Sequence, residues 1–413
     1  MLVALTGPTA RAQALSTSTL NVVYLESNIG SIPNSNSIYG FSNDGTGILT
    51  PLPGSPYLTG GTGVYDPGGA ATEFDADQEI IIRPPYRNLL DLLAVNGDSN
   101  TVASFTINSD GSLTAVTDSP FASNGQNPVS VGLGFDLLAA HLSWLAVLNK
   151  NEDPNQNRNG AAPNLSMFRL NEFGKIQFIA ASTQNLAADS SPSQALEFSG
   201  SGAPNLYLDT LMGSSPGITD YLINGNTGYI TQQNFAGPPV AGALVLGMSA
   251  NPLGLLSHTD RYIYVGLPSL SEVGVYEISG GGFRGGGPIY FQRAVANPGL
   301  AVCWTAVNAA GTYLYTAESN SGTVTVYSLA HAGSPVGVQH FALATTAGVT
   351  TPAPANLAFD PPGGFLYVLD NLNSVLHVLT VNSSTGLVSE PNPPTVLGSP
   401  PGEEALGLAT AQL

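Results

Sequence analysis

The feature that most limits what this chain can fold into is a phrase of short strands repeated from end to end. The clearest copy runs from Val302 to Leu329, where Ala301 to Val307, Thr312 to Ala317 and Thr323 to Leu329 read as three strands. An Ala310-Gly311 turn and a polar hairpin from Glu318 to Gly322 separate them. Tyr, Val and Thr fill the strands while Gly, Asn and Ser punctuate them, the chemistry of antiparallel sheet. Further copies open at Asn21, near Asp75, and at Pro128, Ser191, Asn251 and Ala355. Aligning the third strands puts Phe41, Phe105, Phe168, Tyr221, Tyr276, Tyr327 and Leu379 in one column, at intervals of roughly 50 to 65 residues. That spacing, with helical periodicity nearly absent, predicts an all-β chain: a seven-bladed β-propeller with four antiparallel strands per blade. The first copy lacks an innermost strand before Val22, and the chain ends in a spare one, Ala405 to Ala411. The C-terminal strand is therefore expected to close the first blade, making 21–413 a single domain without open ends.

Charge narrows the function. Lysine and arginine total 10 against 28 acids, a net charge of −18, which repels a phosphate backbone and excludes nucleic-acid binding. The excess acid either keeps a lysine-poor chain soluble or attracts cations. Cys303 is the only cysteine, so no intrachain disulfide forms, and its place beside Trp304 in an apolar run suits a packing thiol. Residues 1–20 read as a leader. The triplet Ala12-Gln13-Ala14 fits the end of an export signal, pointing to a secreted or periplasmic protein, although a plain leader would look the same. The longest apolar stretch, Val240 to Leu256, is interrupted by Ser249, Asn251 and Pro252, so no transmembrane segment is expected.

The residues that end each second strand form a second column: Glu26, Asn96, Asn149, Asp209, Leu267, Glu318 and Asp370. In a propeller these positions face one mouth of the central channel. Carboxylates crowded there repel unless a proton or cation lies among them, and a mixture of carboxylate and amide oxygens suits a hard divalent cation such as Ca²⁺. The plain reading is that the acids only start solvated hairpin turns. The run Glu73 to Glu79, EFDADQE, reads as a solvated loop or a cation cradle, with Gln78 and Glu79 near the same mouth. The insertion Asn149 to Gly160 is long enough for a rim or lid, whereas Gly280 to Gly287 reads as a flexible turn. The five histidines show no metal-ligand spacing, and no GxSxG elbow is present.

The phrases YLYTAESNSGTVTVYSL, FLYVLDNLNSVLHVLTV and SFTINSDGSLTAV, with the inner-strand starts PVSV, PSQA and PANLAF, resemble the seven-bladed lactonase family. That group contains 6-phosphogluconolactonases and the fungal muconate cycloisomerase, and its phrases are shared with YVTN-type surface propellers. The resemblance implies a channel-mouth site, and Glu318 matches the acid of the family's Tyr-Val-x-Asn-Glu-like phrase. The family's Gly-Pro-Arg-His-like strand start is replaced by Asn251-Pro252-Leu253-Gly254 and Ala301-Val302-Cys303-Trp304, and no Asn-Arg pair closes a second strand. These departures argue against a sugar-phosphate substrate. The acidic mouth is closer to metal-dependent gluconolactonase propellers, which hold a divalent ion with Glu, Asn and Asp.

Two readings follow. In the first, the chain is an exported lactonase-like hydrolase of a small-molecule or carbohydrate-like ligand. Glu26, Asn149, Asp209 and Asp370 hold a divalent cation, Glu318 is the base, and Lys150, Gln194 and Trp304 contact substrate. In the second, it is a non-catalytic extracellular propeller that binds a ligand, a polymer or further copies of itself.

Overall fold

The fold was read from a computed structural model, which describes residues 19–65, 76–86, 89–135, 143–150, 161–198, 205–251, 261–279, 288–345, 351–400 and 402–413. The sheets are antiparallel and each holds four strands or a broken equivalent. Seven of them succeed one another along the chain, and their third strands carry the expected column. Phe41, Phe105, Phe168, Tyr221, Tyr276, Tyr327 and Leu379 each pair with an aliphatic residue of the second strand: Val23, Leu92, Leu145, Leu206, Ile263, Leu314 and Leu366. The column is buried throughout, between 0% and 5% exposed.

The core is a ring of inter-blade seams. Alternate residues of one strand face opposite neighbours. In blade 7, Tyr367 and Leu369 pack on Val23 and Leu25 of blade 1, while Leu366 and Val368 pack on Tyr315 and Ala317 of blade 6. Equivalent clusters join each remaining pair of blades. The ring is closed as anticipated. Leu406–Gln412 is the innermost strand of blade 1 and pairs with Asn21–Glu26, and Leu20 and Leu413 exchange backbone hydrogen bonds at 3.0 and 2.9 Å. The pairing covers Asn21 to Glu26, so the inner edge of that strand is not left open.

Blade 5 departs from the sequence reading. Its innermost strand is Leu246–Ala250, not a segment starting at Asn251. The proline that marks the inner strands at Pro128, Pro192 and Pro354 misleads here, because the inner strand of blade 5 has no proline and Pro252 comes just after it in the sequence. Residues 252–260, like Asn149 to Gly160 beyond Lys150 and Gly280 to Gly287, lie outside the described residues.

One irregularity shapes the channel. In blades 1, 3, 4, 5, 6 and 7 the inner strand carries an extra residue where it meets the end of the second strand: Gly407, Val129, Ser193, Gly247, Cys303 and Ala355. Such bulges bend a strand and re-aim its side chains. At Gly407 and Gly247 the bulge has φ +64° and +70°, the left-handed region where only glycine is unstrained. The bulges lie at one end of the ring, and the unusual polar chemistry is gathered there.

Candidate functional site

The mouth of the channel is crossed by four residues, Ala76 to Glu79, on their way into the inner strand of blade 2. Their hydrogen bonds reach five blades. The indole Nε1 of Trp304 in blade 6 donates to the Ala76 carbonyl at 3.0 Å, and the Asp77 N–H donates to the carbonyl of Ser193 in blade 4 at 3.1 Å. Asn356 of blade 7 donates to Asp77 Oδ1 at 3.0 Å, Val131 of blade 3 to the Gln78 carbonyl at 2.9 Å, and Val95 of blade 2 to that of Glu79 at 3.0 Å. Gln78 adopts φ +64°, the turn that carries the chain from the axis into the sheet. The Gln78 and Gln194 amides bond at 2.8 Å, and Gln194 also binds the backbone of Met248 in blade 5. Glu73 and Asp75 lie outside the described residues. The solvated-loop reading of EFDADQE therefore fails for its second half, since Asp77 and Glu79 are buried.

Electrostatics sets these carboxyls apart. Burial pushes Asp77 up to about 6 against the opposing pull of the Gln78 N–H and Asn356. Burial pushes Asp209 up to about 7, with Asp77 adding to the rise and the Ser193 hydroxyl at 2.7 Å resisting it. Glu79 is raised well above the carboxylate range by burial first, then by Asp77 and Glu26, with Lys150 opposing. Neither Glu79 oxygen nor Asp209 Oδ2 makes a hydrogen bond. An unpartnered buried carboxylate is costly when ionised, which is the cause of both upward shifts. Glu79 also lines a cavity of about 10 Å³, walled mainly by Val64, Val95, Val129 and Leu406, which has room for no more than one water.

The structure divides the second-strand column. Asn96, Asn149, Leu267, Glu318 and Asp370 lie four residues beyond the aliphatic partner of the third-strand column, whereas Glu26 and Asp209 lie three beyond. A shift of one residue turns a side chain to the other face of the sheet. Glu26 and Asp209 accordingly share the faces of Tyr24 and Tyr207, toward the following blade. In blades 1 and 4 the equivalent positions hold Ser27 and Thr210.

The residues on the preceding face are fasteners. Glu318 Oε1 accepts from Asn297 Nδ2 at 2.8 Å and from the Thr316 hydroxyl, and Oε2 accepts from Thr323 at 2.8 Å. Burial raises it to about 7 against those bonds. A Cβ on Gly299 would stand 2.6 Å from Glu318 Cγ, so the preceding loop lies directly against it. Gly61 and Gly125 cover Asn96 and Asn149 in the same way. Asn149 donates to Asn164 at 3.0 Å and to the Ser123 carbonyl at 3.4 Å. Asp370 accepts from the Asn373 N–H and side chain at 3.1 and 2.7 Å, with His377 Nε2 at 3.8 Å, beyond hydrogen-bonding distance. Both Glu318 oxygens are thus occupied in a dry seam, which leaves none free to act as a base.

The expected ion site does not assemble. Glu26 is held by Asn36 at 2.8 Å, Asp209 by Ser193 and Asp370 by Asn373, each within its own blade. Among the described residues no group of three or more His, Cys, Asp or Glu is placed to hold a metal ion. The donor set Glu26, Asn149, Asp209 and Asp370 does not fit a divalent cation. The expected substrate contacts fare differently. Gln194 and Trp304 bond directly to 76–79, and buried Lys150 lies within the field of Glu79. Asp77 and Glu79, which the column reading missed, are what these residues surround. Their signal was an acid-rich run directly preceding the apolar strand QEIII.

No known family profile matches the sequence, and no curated protein matches it. Solved structures do match. A protein from Bacteroides uniformis, provisionally assigned as a 6-phosphogluconolactonase, is 14% identical with a TM-score of 0.65, over 96% of this chain and 100% of that one. The periplasmic gluconolactonase of Pseudomonas aeruginosa is 13% identical with a TM-score of 0.64, over 94% and 99%. A Lactobacillus plantarum protein matches at 13% and 0.65, over 95% and 99%. The resemblance to lactonase propellers is therefore borne out in the fold.

Proposed function

We propose that this protein is a lactonase-like propeller that opens an uncharged lactone or related small molecule by proton transfer at the channel mouth, without a metal ion. The observation that carries the reading is the meeting of Asp77 and Glu79, from the segment that crosses the mouth, with Asp209 of blade 4, all buried and all raised by that burial, Asp77 to about 6 and Asp209 to about 7. Shifted acids in a recess are the groups able to exchange protons at working pH. A protonated carboxyl of this set donates to the lactone carbonyl while an ionised neighbour takes a proton from water. Water adds to the carbonyl carbon, the ring C–O bond breaks as the proton taken from water passes to the departing oxygen, and the proton on the carbonyl oxygen returns to the first carboxyl. Gln194, Trp304 and Lys150 position the ligand. Export to the periplasm or beyond belongs to this reading, motivated by Ala12-Gln13-Ala14 and paralleled by the P. aeruginosa neighbour.

The test is hydrolysis of glucono-δ-lactone above its spontaneous rate, with and without chelator. Turnover should survive EDTA and fall by about tenfold or more in Asp209→Asn and Glu79→Gln, the size of a lost acid–base contribution. Turnover abolished by EDTA, or untouched in both variants, would sink this assignment. A second reading has its own support: Ala76 to Glu79 fill the mouth and leave beside Glu79 only a water-sized space. A propeller closed in this way suits a non-catalytic module that binds through its rim, and absence of turnover on every lactone tried would favour it.

A further inference from the structure

Arg293 stands out among the described lysines and arginines because its side chain has no partner. Arg83 is paired with Asp91, Lys175 with Asp118 at 2.6 Å, and Arg169 lies over the Trp144 ring at 5.4 Å. Lys150 and Arg261 are also engaged. In a chain carrying 28 acids, a guanidinium left without an acid calls for a reason. Arg293 is on the outer strand of blade 5, Ile289–Ala296, where its exposed side chain borders a cleft of about 310 Å³. The opposite wall is the turn that follows the third strand of blade 6, with His331 and Ser334, and Tyr262 and Gln292 complete the lining. Among the described residues no acid lines the cleft.

The walls are held in place. Tyr264 of blade 5 donates to the Ala332 carbonyl at 2.8 Å, and the Ser334 N–H closes the turn onto the His331 carbonyl at 2.8 Å. Gly333 approaches Tyr262 so closely that a Cβ would stand 2.8 Å from the phenol oxygen. The nearby acid Glu277 accepts from the Gln292 amide at 2.6 Å and forms no ion pair with Arg293. The turn follows Thr323–Ser328, whose first residue pairs with Glu318 at the channel mouth, so the cleft lies at the other end of the strand.

We propose that this cleft is a binding site for a small oxyanion-bearing solute, with its carboxylate or phosphate group on Arg293 and His331. A planar guanidinium offers paired donors that match such a group. The volume is at the small end of ligand sites, which suits a compact hydroxy acid or a short phosphate ester. The site is independent of the chemistry at the mouth.

The experiment is calorimetric titration of the full chain with inorganic phosphate in one arm and gluconate in the other. Saturable binding in either arm is expected, weakening by about tenfold in Arg293→Gln, the loss of one charge-assisted contact. The arm with the tighter binding identifies the group. Arg293 is exposed, so melting curves should show the variant folded. Lys175→Gln, which removes an exposed charge elsewhere, should bind as the parent does. No saturable heat in either arm, equal affinity in Arg293→Gln, or an equal loss in Lys175→Gln would each overturn the proposal.

Discussion

Glu318 and Glu79 have much in common. Both stand at the mouth end of the propeller, both are excluded from water, and both carry a raised pKa caused first by burial. They differ in what meets their oxygens. Glu318 receives donors from Asn297, Thr316 and Thr323. Glu79 receives none and faces other acids. The first is a fastener that joins blades 5 and 6. The second belongs to a strained cluster that the fold tolerates. Burial alone therefore does not distinguish a structural acid from a chemical one; the hydrogen-bond partners do.

The comparison breaks most visibly in stability. Glu318→Leu removes the acceptor of three buried donors and should cost roughly 4 kcal/mol, since each orphaned group costs about 1–3. Glu79→Leu removes a group that has no hydrogen bond to lose, and should change stability by less than about 1 kcal/mol or increase it. Denaturant midpoints measure both. Equal losses in the two variants would erase the distinction between fastener and strained acid.

Acidity sharpens it next. Asp209 has an ordinary value of 3.8 and a folded value of about 7, so between them the folded state keeps a proton that the unfolded chain has released. Stability must fall as pH rises through that window. Asp77, going from 3.8 to about 6, acts in the same direction. His377 adds to the trend by the opposite chemistry. Burial would lower it, but Asp370 and Glu390 hold it raised, so its contribution is present below 6.5 and fades as pH climbs through the raised value. The melting temperature should therefore be higher at pH 5 than at pH 8. Asp209→Asn should remove on the order of 2 kcal/mol of that difference. A profile that is flat in the parent, or as steep in the variant, would mean that Asp209 is not held protonated.

The sequence carried the fold because the repeat repeats its own punctuation. The Tyr or Phe column and the spare C-terminal strand were legible without coordinates. The site was legible only in part, and its failures have particular causes. In NVVYLESN and NLYLDT the first polar residue after the apolar run is Glu26 or Asp209, yet the register-equivalent residue is Ser27 or Thr210. Polarity marks where a strand ends, while register decides which face a side chain takes, and only pairing reveals register. The sequence puts Gln78 and Glu79 near the mouth, but the burial of Asp77 and Glu79 was hidden differently. An acid-rich run looks solvated when read alone, and nothing local shows that five blades converge on it. Trp304, Gln194 and Lys150 lie beside 76–79 because inner-strand starts and second-strand ends meet at that end of the ring.

The smallest effect expected is that of calcium. Glu318 and Asp370 already spend their oxygens on their own donors, and Asp209 and Glu79 are raised by burial, so a cation would have to displace their protons. An ion bound at 100 times its dissociation constant would add about 2.7 kcal/mol to folding, an unmistakable rise in melting temperature. Calcium and EDTA should instead leave the melting temperature the same at pH 7. If calcium raised it saturably and Asp209→Asn abolished the rise, the mouth would be an ion site after all, and its acids would be ligands instead of proton carriers.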